Sequence, residues 1–284
     1  FASPFENYSF IHPETIWFNI ASRLGARRYF LKNSPQILDF FAGLVARRLQ
    51  EGRRPLLIAK KCFCAFCARQ MQDRLQMLGH EVCVAINGWQ PDLLRNANVV
   101  PLIHYGMIGT NLFQEFDCAY CLTGYYVTEE AINGILQDLL GSDMEIPLRI
   151  SIEGRPCRRR AGVLNQRDRT YDLHKLAQHA LNHLEMDTVL QAVGRVRPYT
   201  KPREVITFQC AAHPDFEYTG EFSSVGEVRH HFGIPNRRSA QTAKLCSLVQ
   251  DAREKGMKQQ EAAAQLAVGL RTIQRYWKTR HEPL

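Results

Sequence analysis

The sequence predicts an α/β fold, a parallel sheet flanked by helices, followed by a small all-α domain. Three observations carry that reading. Short apolar runs of strand length alternate with stretches of helical spacing from about residue 35 to 212. After Pro214 the composition changes: residues 223–284 show no convincing strand and hold eleven Lys and Arg against five Asp and Glu. Within that tail, two stretches align without gaps at an offset of 34 residues.

The elements follow in order. Residues 1–34 are aromatic-rich and irregular, punctuated by Pro4, Pro13 and Pro35, and read as a connector from an upstream region. Ile37, Phe40, Phe41, Leu44, Val45 and Leu49 recur at helical spacing up to Gln50. Pro55–Ala59 is a short apolar run that suits a buried strand. Residues 64–78 return to helical spacing and stop at Gly79. Strands are expected at 81–86, 99–104 and 118–123, the last leading into a helix at about 128–140. Residues 142–170 break the rhythm and read as an insertion or a hairpin. Helical pattern resumes at 172–184 and near 187–194, and Arg203–Phe208 reads as one more strand. These spacings set the domains at 1–34, 35–215 and 223–284, with the boundary near 215–222.

Charge and cysteines narrow the classes. The chain of 284 residues is 45% hydrophobic, enough for a buried core, and carries a formal charge of +8. Besides the tail, residues 155–169 hold six arginines and one acid, Asp168. Local basic clusters on a mildly acidic body fit a polyanion partner, although a solvated face has the same composition. No apolar run reaches the length of a membrane span, so no membrane partner is expected. Nine cysteines at irregular spacing suit reduced thiols and a cytoplasmic protein, not a disulfide scaffold. The first residue is Phe1, so a longer parent chain is expected.

The tail repeat pairs Glu227–Arg238 with Glu261–Thr272. Each copy reads as a short helix ending in a bulky apolar residue, then a small residue, a β-branched residue, a turn, and a second helix rich in Arg with Ser or Thr. A small residue at the turn lets two helices cross, and the second can offer its N-terminal residues to base edges in a major groove. The second copy, Lys258 to Lys278, resembles the resolvase and transposase type of helix-turn-helix, with Ala263 and Ile273 as core. It has Ala267 where that family has Gly. The resemblance implies phosphate contacts from Arg271, Thr272, Arg275 and Lys278 and base reading by Gln274. A packing-only αα-hairpin with Trp277 as core is the alternative.

Gln191-Ala-Val-Gly194-Arg195-Val-Arg197 closes a helical pattern shortly before a strand. A Gln followed by Gly-Arg and a second Arg resembles motif VI of the superfamily 2 helicases, on the second RecA-like lobe of that family. Leu56 to Lys61 resembles motif IV. Tyr105-Gly106-Met-Ile-Gly109-Thr110-Asn111, with Phe116-Asp117 after it, resembles motif V. The resemblance implies a RecA-like fold for about residues 35–212. It also implies that Arg195, Arg197 and Gln191 face ATP and Mg2+ bound mainly by another lobe. A guanidinium from across a cleft suits the charge that builds on a transferring phosphoryl group. The family places its last arginine three residues after Gly-Arg, whereas Arg197 follows by two, so either arginine could be the finger. Lys60, Lys61, Gly106, Gly109, Thr110 and Asn111 would hold a strand of DNA.

No Gly-x-x-x-x-Gly-Lys-Ser/Thr and no helicase-type acidic Walker B string occurs in the sequence. The expectation is therefore the C-terminal part of an ATP-dependent DNA helicase or translocase, completed by an N-terminal ATPase lobe upstream in the same polypeptide. A non-enzymatic DNA-binding regulator or replication loader on a degenerate RecA-like scaffold is the alternative. Cys64-x-x-Cys67 and Cys118-x-x-Cys121 invite a zinc site, but the second pair would point to opposite faces of a strand. His179 and His183 lack the glutamate of a zincin, so no metal site is expected.

Overall fold

Seven parallel strands form one sheet in a computed structural model that describes residues 11–86, 90–107, 111–141, 146–164, 172–210 and 217–277, with backbone alone for 237–244. The described chain divides after Ile234 into two compact units.

In the first unit the chain runs β1 (Ile16–Ile20), α1 (Arg27–Gln50), β2 (Pro55–Ala59), α2 (Cys64–Met77), β3 (Cys83–Ala85), α3 (Pro91–Arg95), β4 (Val99–His104) and β5 (Cys118–Cys121). It continues through α4 (Glu129–Leu140), a hairpin of β6 (Leu148–Glu153) and β7 (Arg158–Val163), α5 (Leu173–Val193), β8 (Glu204–Thr207), β9 (Gly220–Phe222) and α6 (Val225–His231). The sheet order is β3-β4-β2-β5-β8-β1-β9. Both faces are covered, which is why β2 is apolar throughout rather than alternating. Leu57 and Ala59 face a core shared with α1, α2 and α6, whereas Leu56 and Ile58 face a core shared with the end of α5. The α/β class and the helix-flanked parallel sheet are thus the architecture of the described chain.

Several expectations change here. Residues 1–34 are not all connector: Trp17 and Phe18 point into opposite cores, and β1 lies between β8 and β9. Nor does Pro35 punctuate, because α1 runs through it. A proline cannot donate to the carbonyl four residues earlier, and here the Ser34 hydroxyl donates to that carbonyl, Leu31 O, at 2.9 Å. The two helical stretches at 172–184 and 187–194 are one helix, α5. The break between them was Glu185, an acid with no exposed surface in mid-helix. Residues 148–163 do form a hairpin, in register from Leu148↔Val163 to Glu153↔Arg158.

The expected boundary at 215–222 moves to Ile234/Pro235, because β9 joins the sheet and α6 packs through Val225 and Val228 into the core on α1. The second unit holds α7 (Arg237–Glu254), α8 (Gln259–Gln265) and α9 (Leu270–Trp277) around Val249, Ala252, Ala262 and Ile273. Among the described residues no helix is long and apolar enough to cross a membrane.

Candidate functional site

In parallel α/β sheets, ligands bind beyond the carboxyl ends of the strands, and the motif-like residues gather near that edge. The pairing Ala59↔His104 sets Lys60 and Tyr105 side by side where β2 and β4 end. Tyr105 is buried and its hydroxyl donates to the carbonyl of Thr123. Gly106 is exposed and Met107 N donates to His104 O at 3.0 Å, closing a turn. Gly109 and Thr110 lie outside the described residues. Asn111 is exposed, and Phe113 and Phe116 bury beneath the loop with ring centroids 5.7 Å apart.

The end of α5 meets this loop. Gly194–Val196 form a 3-10 turn and Arg197 caps it at φ 58, ψ 52, a left-handed conformation that a non-glycine residue adopts at a cost of about 1 kcal/mol or more. Arg195 Nη2 donates to Met107 O at 2.8 Å, and Arg197 Nη2 donates to Asn111 Oδ1 at 3.1 Å. Arg203 clamps the turn from below, giving Nε to Val196 O at 2.6 Å and Nη2 to Gln114 O at 2.9 Å. Both arginines of the motif VI-like string therefore touch the motif V-like loop. Gln191 is exposed on the last turns of α5. Gly194 has ordinary helical backbone, and a Cβ there would meet only Tyr199 at 3.7 Å, so the fold itself leaves room for a larger residue.

The two lysines differ. Lys61 is exposed, but Lys60 turns inward: its N–H donates to Thr123 Oγ1 at 2.9 Å and its ammonium to Tyr126 O at 3.0 Å. Burial pushes the Lys60 pKa down, and Arg159 and Arg27 push the same way. Behind it stands a buried network that sequence patterning missed. Arg159 on β7 pairs with Glu185 on α5 at 2.8 Å, Gln209 Nε2 donates to Glu185 Oε2 at 3.1 Å, and Val127 N donates to Oε1 at 2.9 Å. Burial raises the Glu185 carboxyl to about 7 even though Arg159 draws it back down. The signal for this pair was an acid in mid-helix and an arginine on β7 in phase with Ala161 and Val163. Nothing in the spacing says that they meet.

In the second unit, Arg271, Gln274 and Arg275 are exposed on α9, three and four residues apart and so on one face, while Thr272 is half-buried. Ile273 is fully buried, Ala263 and Trp277 pack against the same core, and Lys278 lies outside the described residues. The turns of the two repeat copies coincide bond for bond. Gly233 N donates to His230 O and Ile234 N to Arg229 O at 3.0 Å; 34 residues on, Ala267 N donates to Ala264 O at 3.3 Å and Val268 N to Ala263 O at 3.1 Å. Gly233 and Ala267 have φ of 59 and 49. Both turns therefore need a left-handed residue, the backbone that glycine adopts at least cost, so small size alone does not decide what fits there.

Among the described residues no three His, Cys, Asp or Glu side chains could together hold a metal ion. Cys118 and Cys121 bury on opposite faces of the sheet, and burial lifts both thiols to about 12, away from the thiolate that zinc requires.

No family model matches the chain, and no curated protein matches it.

Proposed function

We propose that this chain is the second RecA-like lobe of an ATP-dependent DNA helicase or translocase, with a helix-turn-helix tail that binds DNA. One observation carries the reading: Arg195 and Arg197 reach across 88 and 86 residues of sequence to the loop that holds Gly106 and Asn111. That contact would let a nucleotide-facing turn and a strand-holding loop move as one piece. The described partner of Arg197 is a neutral amide, so its charge stays available to an anion. Its left-handed backbone is the kind of strain that clusters at working sites, and Gly194 leaves the turn open to close approach.

ATP and Mg2+ belong in this reading to a partner lobe that carries the phosphate-wrapping loop, since this sequence contains none. ATP would supply the free energy of phosphoryl transfer. This chain's residues would hold a guanidinium at the cleft, orient it through Met107 and Asn111, and bear on the DNA strand through Lys61 and the loop. In the tail, Arg271, Gln274 and Arg275 would face the duplex from one side of α9.

The test uses the full-length protein. Arg197→Ala and Arg195→Ala, assayed singly, are expected to lower ATP-dependent strand separation by about 10^3-fold or more for whichever residue is the finger. DNA affinity should stay within about twofold. Normal unwinding by both variants would overturn the assignment and favour a non-enzymatic DNA-binding regulator or loader, the reading that the missing phosphate loop also admits.

A further inference from the structure

At the edge where the strands end, on the face that α1 and α2 cover, lies a concavity of about 540 Å³ lined by Arg27, Arg28, Leu31, Cys62 and Phe63. It forms because α1 and α2 pack side by side and both begin at this edge, after β1 and after β2. The residues around it are unusual in four ways.

First, the two segments that meet here are free of acids: no Asp or Glu occurs from Thr15 to Leu38 or from Gly52 to Gln72. Folding brings together two positive stretches that are distant in sequence. Second, Arg23, Arg27, Arg28 and Lys61 are all exposed, and among the described residues none meets a carboxylate or gives a side-chain hydrogen bond. Arg23 and Arg28 instead lie 5.3 and 5.9 Å from the ring of Tyr29. Third, α1 starts with arginines in its first turn, no acid, and no side-chain cap. Cations at a helix N-terminus oppose its dipole, so this arrangement works against the helix's own stability. Fourth, apolar surface is interleaved with the charge: Leu31 is 56% and Phe66 37% exposed.

From these observations we infer that the concavity binds single-stranded DNA, with Arg27, Arg28 and Lys61 on its phosphates and its bases against Leu31 and Phe66. Alternating cations and apolar or aromatic surface is how proteins hold a strand whose bases are unstacked. A duplex, its bases turned inward, would leave the apolar surface uncovered. The inference rests on the DNA reading above and adds to Lys61 of the motif IV-like segment two contacts outside every such segment, Arg27 and Arg28 at the start of α1.

The full chain is titrated with fluorescent dT20 at several salt concentrations. Arg27→Ala/Arg28→Ala should weaken binding about tenfold and lower the log–log salt slope by about 1.4, two phosphates' worth. The control Arg95→Ala/Lys175→Ala removes two exposed charges elsewhere and should stay within about twofold. Exposed thiols give a second readout that needs no substitution: saturating dT20 should slow maleimide labelling of Cys62 about fivefold or more and leave Cys83, also exposed, unchanged. Wild-type binding with an unaltered double variant and an unprotected Cys62 overturns the concavity alone and leaves the helicase reading standing. A wild-type chain that does not bind dT20 overturns both.

Discussion

The two edges of the parallel sheet treat their cations in opposite ways. At the edge where strands begin, Glu204 receives Arg48 at 2.7 Å, Arg53 at 3.3 Å and the hydroxyl of Tyr120, and it is 5% exposed. Beside it, Asp117 accepts from Arg54 N at 2.8 Å and lies 3.9 Å from Arg203. At the edge where strands end, Arg23, Arg27, Arg28 and Lys61 stand in solvent without a carboxylate among the described residues. Buried arginines need counter-charges because an unpaired buried ion costs several kcal/mol. Exposed ones need none, and leaving them uncompensated keeps their field for a ligand. The comparison teaches which arginines hold the fold and which are free to serve something else.

The largest effect should come from breaking the paired edge. Glu204→Ala takes from Arg53 its carboxylate and leaves Arg48 only Glu51, at 2.9 Å, and should lower unfolding free energy by about 3 kcal/mol in urea titration. A loss under about 1 kcal/mol would mean that the ion cluster contributes little and the contrast between edges is weaker than drawn.

Inside the other edge the buried Arg159 also has its counter-ion, Glu185 at 2.8 Å. The pKa of Glu185 in the fold, about 7, lies above the ordinary 4.5, so its contribution to stability is fully present below about pH 4.5 and is lost as pH rises to about 7. Between pH 4.5 and 8 the wild type should lose on the order of 3 kcal/mol relative to Glu185→Gln, whose side chain does not titrate. Parallel pH profiles for the two proteins would show that Arg159 already holds Glu185 ionised throughout.

A smaller effect separates the repeat copies. Ala267→Gly relieves a left-handed residue and should stabilise the second unit by about 1 kcal/mol, whereas Gly233→Ala, at the matching turn, should destabilise the first by a similar amount. Hydrogen exchange at each turn reads the two changes separately. Equal responses of the same sign would show that the turns are not equivalent.

Much of this was legible in the sequence. The apolar runs at 55–59 and 99–104 are strands, and the helices at 64–77 and 129–140 fall within a residue or so of their expected ends. What escaped has physical causes. β1 was hidden by flanking prolines and a mixed aromatic pattern, although Trp17 and Phe18 serve opposite cores. Composition assigned α6 to the tail because His and Arg dominate its exposed side, while two buried valines bind it to α1. The motif-like residues announced themselves by local spacing: Arg195, Arg197, Gly106 and Asn111 could be named from short strings, and folding brings them to one loop. Arg27 and Arg28 could not be, because their meaning depends on an acid-free partner segment some 30 residues away and on the exposure that only packing decides. Lys60 shows the reverse: named from its motif-like position, it turns inward to Tyr126.

The division of labour between the edges is tested most directly by measuring unfolding free energy and dT20 affinity on one preparation of Arg27→Ala/Arg28→Ala. Removing cations from the first turn of α1 should leave stability unchanged or raise it by a few tenths of a kcal/mol, while affinity falls about tenfold. A loss of more than about 1 kcal/mol with affinity intact would contradict the account, since these arginines would then hold the fold as Arg48 does and bind nothing.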